Sequence, residues 1–404
     1  MIWKEHFKVV AFIFNVDIDL HKIYGVPIKK TTEISNLFGT YPNLKIIIDV
    51  KDYDYIGFSR FLIERKKLTF IDHWCISQLF MYDKIDVPIL WELPVSHDDK
   101  QKIIRRMLKN RKGFLMFGNC QTIVLKKYLL SNERFNKNYL LLDIPAIHQL
   151  QKSKYKRLEE GYIYVYIDSL AIMNIKENNK FDYRLSTKAF KNRMNETCKI
   201  IVIPNLWFTG YFPQLKNEYP NSCLKQYILD SWFYRFKDAI IEKYKEKGKC
   251  AREFIFESEN LLTREMIKMN FCDALENVQK MDSTCSFGMA DYICREYEKH
   301  ILFYCPNHPK NYVIKELCTR LLKYMGMYSA DENVTYKHEK SIDQLETLRI
   351  GTTIIYPGVY RYLGLPEEAL RKTDFGIDLP IEFVNFKDYV YLYYFFSDSD
   401  IATN

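Results

Sequence analysis

Three segments of the chain share one pattern, in which a short apolar run is followed directly by polar residues. The runs are residues 113–117, 200–203 and 301–305, and each has the length and the side chains of a buried strand. The first leads through Gly118-Asn119 into a helical pattern that starts at Cys120. The pattern predicts a mixed α/β main domain with substantial helix, and it places functional groups at the ends of strands.

The third run leads into Asn307-His308-Pro309 and then into an amphipathic helical pattern. Pro309 fits the first position of that helix, because proline has no N–H group to lose there. In the simplest interpretation Asn307 or His308 caps the helix. His308 nevertheless lies at the same kind of strand end as Cys120.

The first hundred residues alternate strand and helix in a βαβ-like order. A helical pattern covers 32–38, and the β-rich runs are residues 9–14, 25–28 and 44–50. We expect a small Rossmann-like α/β domain over residues 1–100, which binds no dinucleotide because it lacks the Gly-x-Gly-x-x-Gly turn. A charged helix at 98–111 separates it from a main domain over 112–404.

Composition excludes several classes of protein. Of the 404 residues 48% are apolar and 27% are charged, which suits a packed core and argues against disorder. The formal charge of +8 is spread over a large surface, so it does not imply nucleic-acid binding. The ten cysteines include no Cys-x-x-Cys pair, which argues against a disulfide framework or a zinc site, and we expect no metal.

No apolar run reaches the roughly 18 residues that a membrane-spanning helix requires. The opening residues also lack the layout of a secretory signal. We therefore expect a cytoplasmic protein without a transmembrane segment.

Cys120 is the residue whose position most directly suggests chemistry. At a helix N-terminus the helix dipole and the unpaired N–H groups favour a thiolate over a thiol, and the same N–H groups can bind an oxyanion. A thiolate with His308 as partner is the minimum equipment for acyl transfer through a covalent thioester. The alternative is a small buried residue at a turn.

Asn205 follows the second strand, in a loop where α/β proteins present functional groups. Its amide can donate a hydrogen bond to a substrate or to an oxyanion. An Asx turn that ends the strand is an equal alternative.

The three segments together resemble the WcbI family of capsular polysaccharide biosynthesis proteins, which are regarded as acetyltransferases that bind coenzyme A. The resemblance extends from about residue 112 to about 396. It rests on motifs that occur in the family's order: Gly118-Asn119-Cys120-Gln121, Pro204-Asn205-Leu206-Trp207-Phe208-Thr209-Gly210-Tyr211, Asn307-His308-Pro309-Lys310-Asn311, Tyr356-Pro357-Gly358-Val359 and Leu363-Gly364-Leu365.

The resemblance implies that Cys120 and His308 form the reactive pair. Gln121 stands where a side-chain amide would assist an oxyanion, by analogy with papain-like sites. For the group that orients His308, the resemblance implies Asp291, and Asn307 and Asn311 are alternatives.

The resemblance also implies coenzyme A, or acetyl-coenzyme A, as co-substrate. Basic residues after the nucleophile or in a nearby loop would bind its phosphates, although ordinary surface charge is the alternative for each of them. His148 lines the cleft or is a core histidine. The expected contacts of coenzyme A are Gly118, Asn119, Lys126, Lys127, Arg184 and Lys188.

The expected activity is transfer of an acetyl or other acyl group from acetyl-coenzyme A to a hydroxyl of a surface polysaccharide or its precursor. His308 either deprotonates Cys120 for a covalent route or activates the sugar directly. Hydrolysis of an ester or thioester by the same pair is one alternative. A non-catalytic carbohydrate-binding or assembly protein is another, with aromatic side chains as a stacking surface. The expected partners are a sugar acceptor and other proteins of polysaccharide biosynthesis.

Overall fold

A four-stranded parallel sheet lies in the larger of two compact units. One unit comprises residues 1–88 and 92–103, and the other comprises residues 89–91 and 104–404. The computed structural model describes residues 12–14, 22–23, 26–30, 105, 108, 110–144, 146–147, 164–178, 183–216, 237–337, 339–344, 348, 353–366, 371–372 and 383–398. The helix predicted at 32–38 and the strand predicted at 44–50 lie outside these residues.

The described strands of the smaller unit form a three-stranded sheet in the order β1-β3-β2. Its strands are β1 (Phe12–Phe14), β2 (Lys22–Ile23) and β3 (Val26–Lys30). They confirm the first two predicted strands. β1 runs parallel to β3, whereas β2 runs antiparallel to it, and an antiparallel pair differs from the all-parallel sheet of a Rossmann unit.

The sheet of the larger unit has the strand order β5-β4-β6-β7, and all its neighbouring strands are parallel. Its strands are β4 (Lys112–Phe117), β5 (Tyr139–Asp143), β6 (Ser169–Met173) and β7 (Lys199–Ile203). The α/β fold predicted from the sequence is therefore confirmed. Parallel strands present their carboxyl ends at one edge, so the residues that follow them are brought together.

Helices make up much of the rest of the described chain. They are α1 (Gln121–Ser131), α2 (Glu133–Asn138), α3 (Thr187–Lys191), α4 (Ala239–Glu246), α5 (Ala251–Glu257), α6 (Arg264–Asp282), α7 (Ala290–Glu296), α8 (Asn311–Tyr324), α9 (Glu339–Gln344), α10 (Pro357–Leu363) and α11 (Phe386–Asp398). The described residues also form three two-stranded pairs. These are β8 (Leu215–Lys216) with β9 (Lys237–Asp238), β10 (Phe303–Cys305) with β11 (His308–Pro309), and β12 (Arg371–Lys372) with β13 (Phe383–Val384).

The centre of the core is β4, which lies between β5 and β6. Its residues 114–117 are completely buried, as expected for a parallel strand whose two faces are both covered. Helix α1 continues directly from it and packs against α8 and α9. Nine of the eleven residues of α1 are buried, so this helix belongs to the interior rather than to the surface.

The prediction that Pro309 starts a helix is wrong. Pro309 and His308 form β11, which pairs with β10 in an antiparallel arrangement. Helix α8 begins two residues later at Asn311, with Lys310 at its N-cap position. These two residues form a strand instead of a helix start because they pair with β10, although the local pattern assigns them to a helix cap and a first helical turn.

The strand order creates a crevice between β4 and β6. From β4 the chain continues to β5 on one side, and from β6 it continues to β7 on the other. Ligands of open α/β sheets bind outside the carboxyl ends of strands at such a reversal, because the two connections leave in opposite directions. The turn that carries Cys120 follows β4 and therefore lies at this position.

Candidate active site

Cys120 lies at the N-cap position of α1 and is partly exposed. The turn before it is fixed by Asn119, whose side-chain oxygen accepts a hydrogen bond from the Gln121 N–H at 2.9 Å. The Asn119 carbonyl accepts from the N–H of Thr122 at 3.1 Å and from its hydroxyl at 2.7 Å. The Cys120 side chain makes no capping hydrogen bond, so its sulfur does not serve as the helix cap.

His308 approaches Cys120 from the β10–β11 hairpin. The Nε2 atom of His308 lies 3.3 Å from the sulfur of Cys120, although the two residues are 188 positions apart in the chain. His308 is only 2% exposed, whereas Cys120 is partly exposed. The structure therefore brings together the thiol and the base that the sequence analysis paired, within the distance that proton transfer requires.

Asn205 reaches the same place from the end of β7. Its side-chain oxygen accepts a hydrogen bond from the Nδ2 atom of Asn119 at 2.8 Å. This bond leaves the Asn205 amide nitrogen as a donor next to the turn that carries Cys120. Asn119, expected to contact coenzyme A, thus has a defined structural role within the turn as well.

Gln121 is completely buried and is engaged by main-chain groups of two other segments. Its Nε2 atom donates to the carbonyls of Leu206 at 2.8 Å and Asn307 at 2.9 Å, and its Oε1 atom accepts from the Leu206 N–H at 3.2 Å. Both amide hydrogens are therefore used. This differs from the oxyanion role expected from the sequence, for which one hydrogen would have to be available.

The main-chain N–H groups at the start of α1 are also engaged. Gln121 donates to the Asn119 side chain, Thr122 to the Asn119 carbonyl, and Ile123 to the Cys120 carbonyl. The amide of Asn205 is therefore a better candidate for an oxyanion donor than these three groups.

Gly118 lies in close contact with side chains at the crevice. A Cβ atom at this position would lie 2.6 Å from the Met173 sulfur and 2.7 Å from a methyl carbon of Thr122. The Gly118 carbonyl accepts a hydrogen bond from the N–H of Ile147 at 2.8 Å, which ties the turn to the loop after β5. A larger side chain would fit here only if the Met173 and Thr122 side chains shifted.

An open groove of about 640 Å³ lies at the carboxyl end of β6. The hydroxyl of Thr187 fixes its shape, because it donates to the Met173 carbonyl and accepts from the Ile175 N–H. Three lysines give the groove a positive character. Its lining residues are Asn174, Ile175, Lys176, Glu177, Asn178, Thr187, Lys188, Lys191 and Asn192.

The four basic residues expected to bind phosphates differ in environment. Lys126 is only 8% exposed and donates to the Ile144 carbonyl at 2.7 Å, so it is an internal residue and not a surface cation. Lys127 and Arg184 are half-buried. Lys188 is exposed, lines the groove and pairs with Glu177 at 3.3 Å.

The three residues considered for orienting His308 make their described hydrogen bonds to other groups. Asp291 binds Arg320 through both of its carboxylate oxygens, and its side chain is 60% exposed. The Asn311 amide donates to carbonyls of α9. The Asn307 side chain accepts from the thiol of Cys305. His148 lies outside the described residues.

Sequence reasoning missed two features of the site. The bond between Asn119 and Asn205 was not foreseen, although both asparagines follow strands of one parallel sheet. The groove was missed as well, and the signal that could have indicated it is the set of polar and basic residues after β6, at 174–178. Within the described residues no group of three histidine, cysteine or acidic side chains could hold a metal ion, and no helix is long and apolar enough to cross a membrane.

Comparison with known proteins gives one solved structure and one family. The solved structure is described as WcbI, a novel polysaccharide biosynthesis enzyme, in a native form without a disulfide bond between coenzyme A and a cysteine of that protein. It is 16% identical, with a TM-score of 0.56, and the match covers 71% of this chain and 90% of that one. At this identity the similarity establishes the fold alone.

No curated protein matches the chain. The sequence model of the family described as polysaccharide biosynthesis enzyme WcbI matches residues 114–329, which is more than half of the chain and includes Cys120, Asn205 and His308. The protein therefore belongs to the WcbI family of polysaccharide biosynthesis enzymes.

Proposed function

We propose that the protein is an acyltransferase that moves an acetyl or related acyl group from a coenzyme A thioester to a sugar hydroxyl of a surface or capsular polysaccharide or its precursor. The observation that carries the proposal is the 3.3 Å contact between the Cys120 sulfur and His308 Nε2 at the carboxyl edge of the sheet. A thiol and an imidazole at this distance are suited to acyl transfer.

In the covalent route the residues of the chain act in a fixed order. His308 takes the proton of Cys120, and the resulting thiolate attacks the thioester carbonyl to form a bond from sulfur to the acyl carbon. The Asn205 amide donates a hydrogen bond to the oxyanion. The imidazolium gives its proton to the leaving thiolate of coenzyme A. His308 then deprotonates the sugar hydroxyl, which attacks the acyl carbon, and the imidazolium returns this proton to Cys120 as its bond to the acyl carbon breaks.

Coenzyme A supplies the acyl group in an activated thioester. The groove at the carboxyl end of β6 suits its negative phosphates, because Lys176, Lys188 and Lys191 line it. The description of coenzyme A with the similar solved structure agrees with this part of the proposal. Gly118 and Asn119 belong to the turn that carries the thiol, and the half-buried Lys127 and Arg184 stay further candidates.

A direct route uses the same site differently. His308 deprotonates the sugar hydroxyl, which attacks the thioester without an acyl-enzyme, and Cys120 only lines the pocket. Hydrolysis is the second alternative, in which water replaces the sugar. A non-catalytic carbohydrate-binding or assembly protein is the third. We place the reaction in the cytoplasm, in association with other proteins of polysaccharide biosynthesis.

One experiment separates these routes. Full-length protein is incubated with acetyl-coenzyme A, with and without sugar acceptors, and release of the free thiol of coenzyme A is followed together with the intact mass of the protein. The covalent route predicts one acetyl group on Cys120 without acceptor, and thiol release that depends on the acceptor. Cys120→Ala and His308→Ala should abolish transfer, whereas Cys272→Ala, at an exposed cysteine of α6, should retain it.

The other outcomes assign the alternatives. Full transfer by Cys120→Ala would establish the direct route. Thiol release that is independent of any acceptor would favour hydrolysis. A protein that binds sugar but never releases thiol would refute the transferase proposal.

The binding part is tested by calorimetry with coenzyme A on the full-length protein. Lys188→Ala combined with Lys191→Ala should weaken binding, and the effect should decrease at high salt. Lys280→Ala is a matched control, because Lys280 is 66% exposed and pairs with a glutamate at 3.1 Å, as Lys188 does at 68% and 3.3 Å. Equal effects of both changes would remove the groove from the proposal.

A further inference from the structure

The buried amide of Gln121 connects three segments that are far apart in sequence. Its two hydrogens bind the carbonyls of Leu206 and Asn307, which are 85 and 186 positions away. Its oxygen accepts from the Leu206 N–H, so every polar group of this side chain except one lone pair is used. The side chain is completely buried, and water therefore cannot replace these bonds without rearrangement.

The main-chain groups that bind this amide belong to Leu206 and Asn307, and each of these residues is adjacent in sequence to a candidate site residue. The pairs of neighbours are Cys120 and Gln121, Asn205 and Leu206, and Asn307 and His308. The amide thus fixes the backbone on which the thiol, the oxyanion donor and the base are carried. A further main-chain bond from Phe208 N–H to the Pro306 carbonyl, at 2.7 Å, holds two of these segments together but does not include the Cys120 turn.

We infer that Gln121 is a positioning residue that sets the separation between the Cys120 sulfur and the His308 imidazole. The 3.3 Å contact is made by side chains on separate segments, and a shift of about 1 Å would break the hydrogen bond. The inference rests on the proposed roles of Cys120 and His308, but not on the identity of the acyl donor or the acceptor.

The reactivity of Cys120 reports on the pairing without any substrate. An imidazole partner favours the thiolate, so a paired thiol is alkylated at a pH where an ordinary thiol is almost entirely protonated. The rate of Cys120 alkylation, followed by peptide mass spectrometry from pH 5 to pH 9, measures whether His308 is in place. A purely structural role for Gln121 would change stability without changing this pH profile.

Gln121→Met removes the three hydrogen bonds at similar volume. We expect alkylation of Cys120 at pH 6 to fall about tenfold, towards the rate of an ordinary thiol, and the rate at pH 9 to change less than twofold. Gln121→Glu is the second variant, because its carboxyl retains an oxygen for the Leu206 N–H but donates to only one of the two carbonyls when protonated and repels both when ionised. It should show the same loss at pH 6.

Gln214→Met is the matched control. Gln214 is also completely buried, and its amide donates to a main-chain carbonyl, that of Ile354, at 2.9 Å. This variant should lose stability but keep the wild-type alkylation profile of Cys120. Each protein is assayed about 10 °C below its own melting midpoint, so that unfolding does not expose the thiol.

Two further outcomes decide the inference. Combining Gln121→Met with His308→Ala should add nothing to the effect of His308→Ala on the profile, because both changes remove the same pair. A wild-type profile in either Gln121 variant would overturn the inference. It would also fall if His308→Ala left the wild-type profile unchanged, since no pair would then exist to position. A failure to detect acyl transfer with the expected alkylation profiles would contradict the proposed function and leave this inference standing.

Discussion

Replacing Asp238 by asparagine should remove a loss of stability that the native protein undergoes as the pH rises. Asp238 is completely buried and ends β9, where one carboxylate oxygen accepts from the N–H groups of Ile240 and Ile241 at the start of α4. The other oxygen accepts from the hydroxyls of Tyr356 at 2.8 Å and Tyr389 at 3.1 Å. The carboxyl thus joins α4, α10 and α11.

Burial is the main cause that raises the pKa of Asp238 from 3.8 to about 6, and the hydrogen bonds oppose it. Because the pKa is higher in the folded chain, the stabilising contribution is complete below the unfolded pKa and is lost as the pH rises through about 6. The difference between the folded and unfolded pKa corresponds to about 3 kcal/mol of stability. About 2 kcal/mol of this is lost between pH 4.5 and pH 7.5.

Asparagine keeps the cap, since it accepts from the two N–H groups as well as aspartate does. Its NH₂ group would face hydroxyls that can rotate to accept. The melting midpoint of Asp238→Asn minus that of the wild type should therefore increase by about 3 °C from pH 4.5 to pH 7.5, as calorimetry or circular dichroism would show.

Asp291→Asn is the control with the opposite shift. The ion pair with Arg320 lowers the pKa of Asp291, so its contribution is present above 3.8 and is lost only as the pH falls through a still lower value. The midpoint difference for this variant should be flat from pH 4.5 to pH 7.5. A flat difference for Asp238→Asn, or one that decreases with pH, would refute the argument from burial.

Three other predictions concern the site. At pH 6 an ordinary free thiol is about 0.3% ionised, so a paired thiol has far more of the reactive thiolate, although a thiolate of lower pKa is also a weaker nucleophile. Cys120 should therefore be alkylated at least about tenfold faster than the exposed Cys272. Equal rates would contradict the pairing. Gly118→Ala should lower the free energy of unfolding by about 1 to 3 kcal/mol, and adding Met173→Ala to it should restore part of that loss. A fully stable Gly118→Ala would show that the crevice can relax. Asn205→Ala should lower kcat about 100-fold with a smaller change in KM, and an unchanged kcat would exclude it as oxyanion donor.

Local sequence signals predicted the elements that carry Cys120. An apolar strand, a Gly-Asn turn and a helical apolar pattern follow each other within about twenty residues, and each depends on its own side chains. The same reasoning gave the strand that ends at Ile203. Pairing Cys120 with His308 followed from their chemical types and their positions after strands, and the structure brings them to 3.3 Å.

Partners chosen through tertiary contacts could not be predicted in this way. The Gln121 amide binds carbonyls of two remote segments, and nothing in the Gly-Asn-Cys-Gln sequence specifies them. Lys126 was expected to bind a phosphate of coenzyme A, with ordinary surface charge as the alternative, but its helix is covered by α8 and α9, and its ammonium group binds a main-chain carbonyl. Pro309 lies in a local hairpin with Phe303, six positions earlier, which the helix-start pattern at Pro309 did not reveal.

The strand order explains why the thiol belongs on the turn after β4. This strand is central, and the connections of β4 and β6 leave in opposite directions, so the space above their carboxyl ends is not filled by a crossing segment. The groove opens at the end of β6, and Gly118 lets the two strand ends approach closely. His308 arrives from a hairpin outside the sheet, and the proposed reaction would therefore depend on contacts, such as the side-chain hydrogen bonds of Gln121, that fix this hairpin against α1 and the loop after β7.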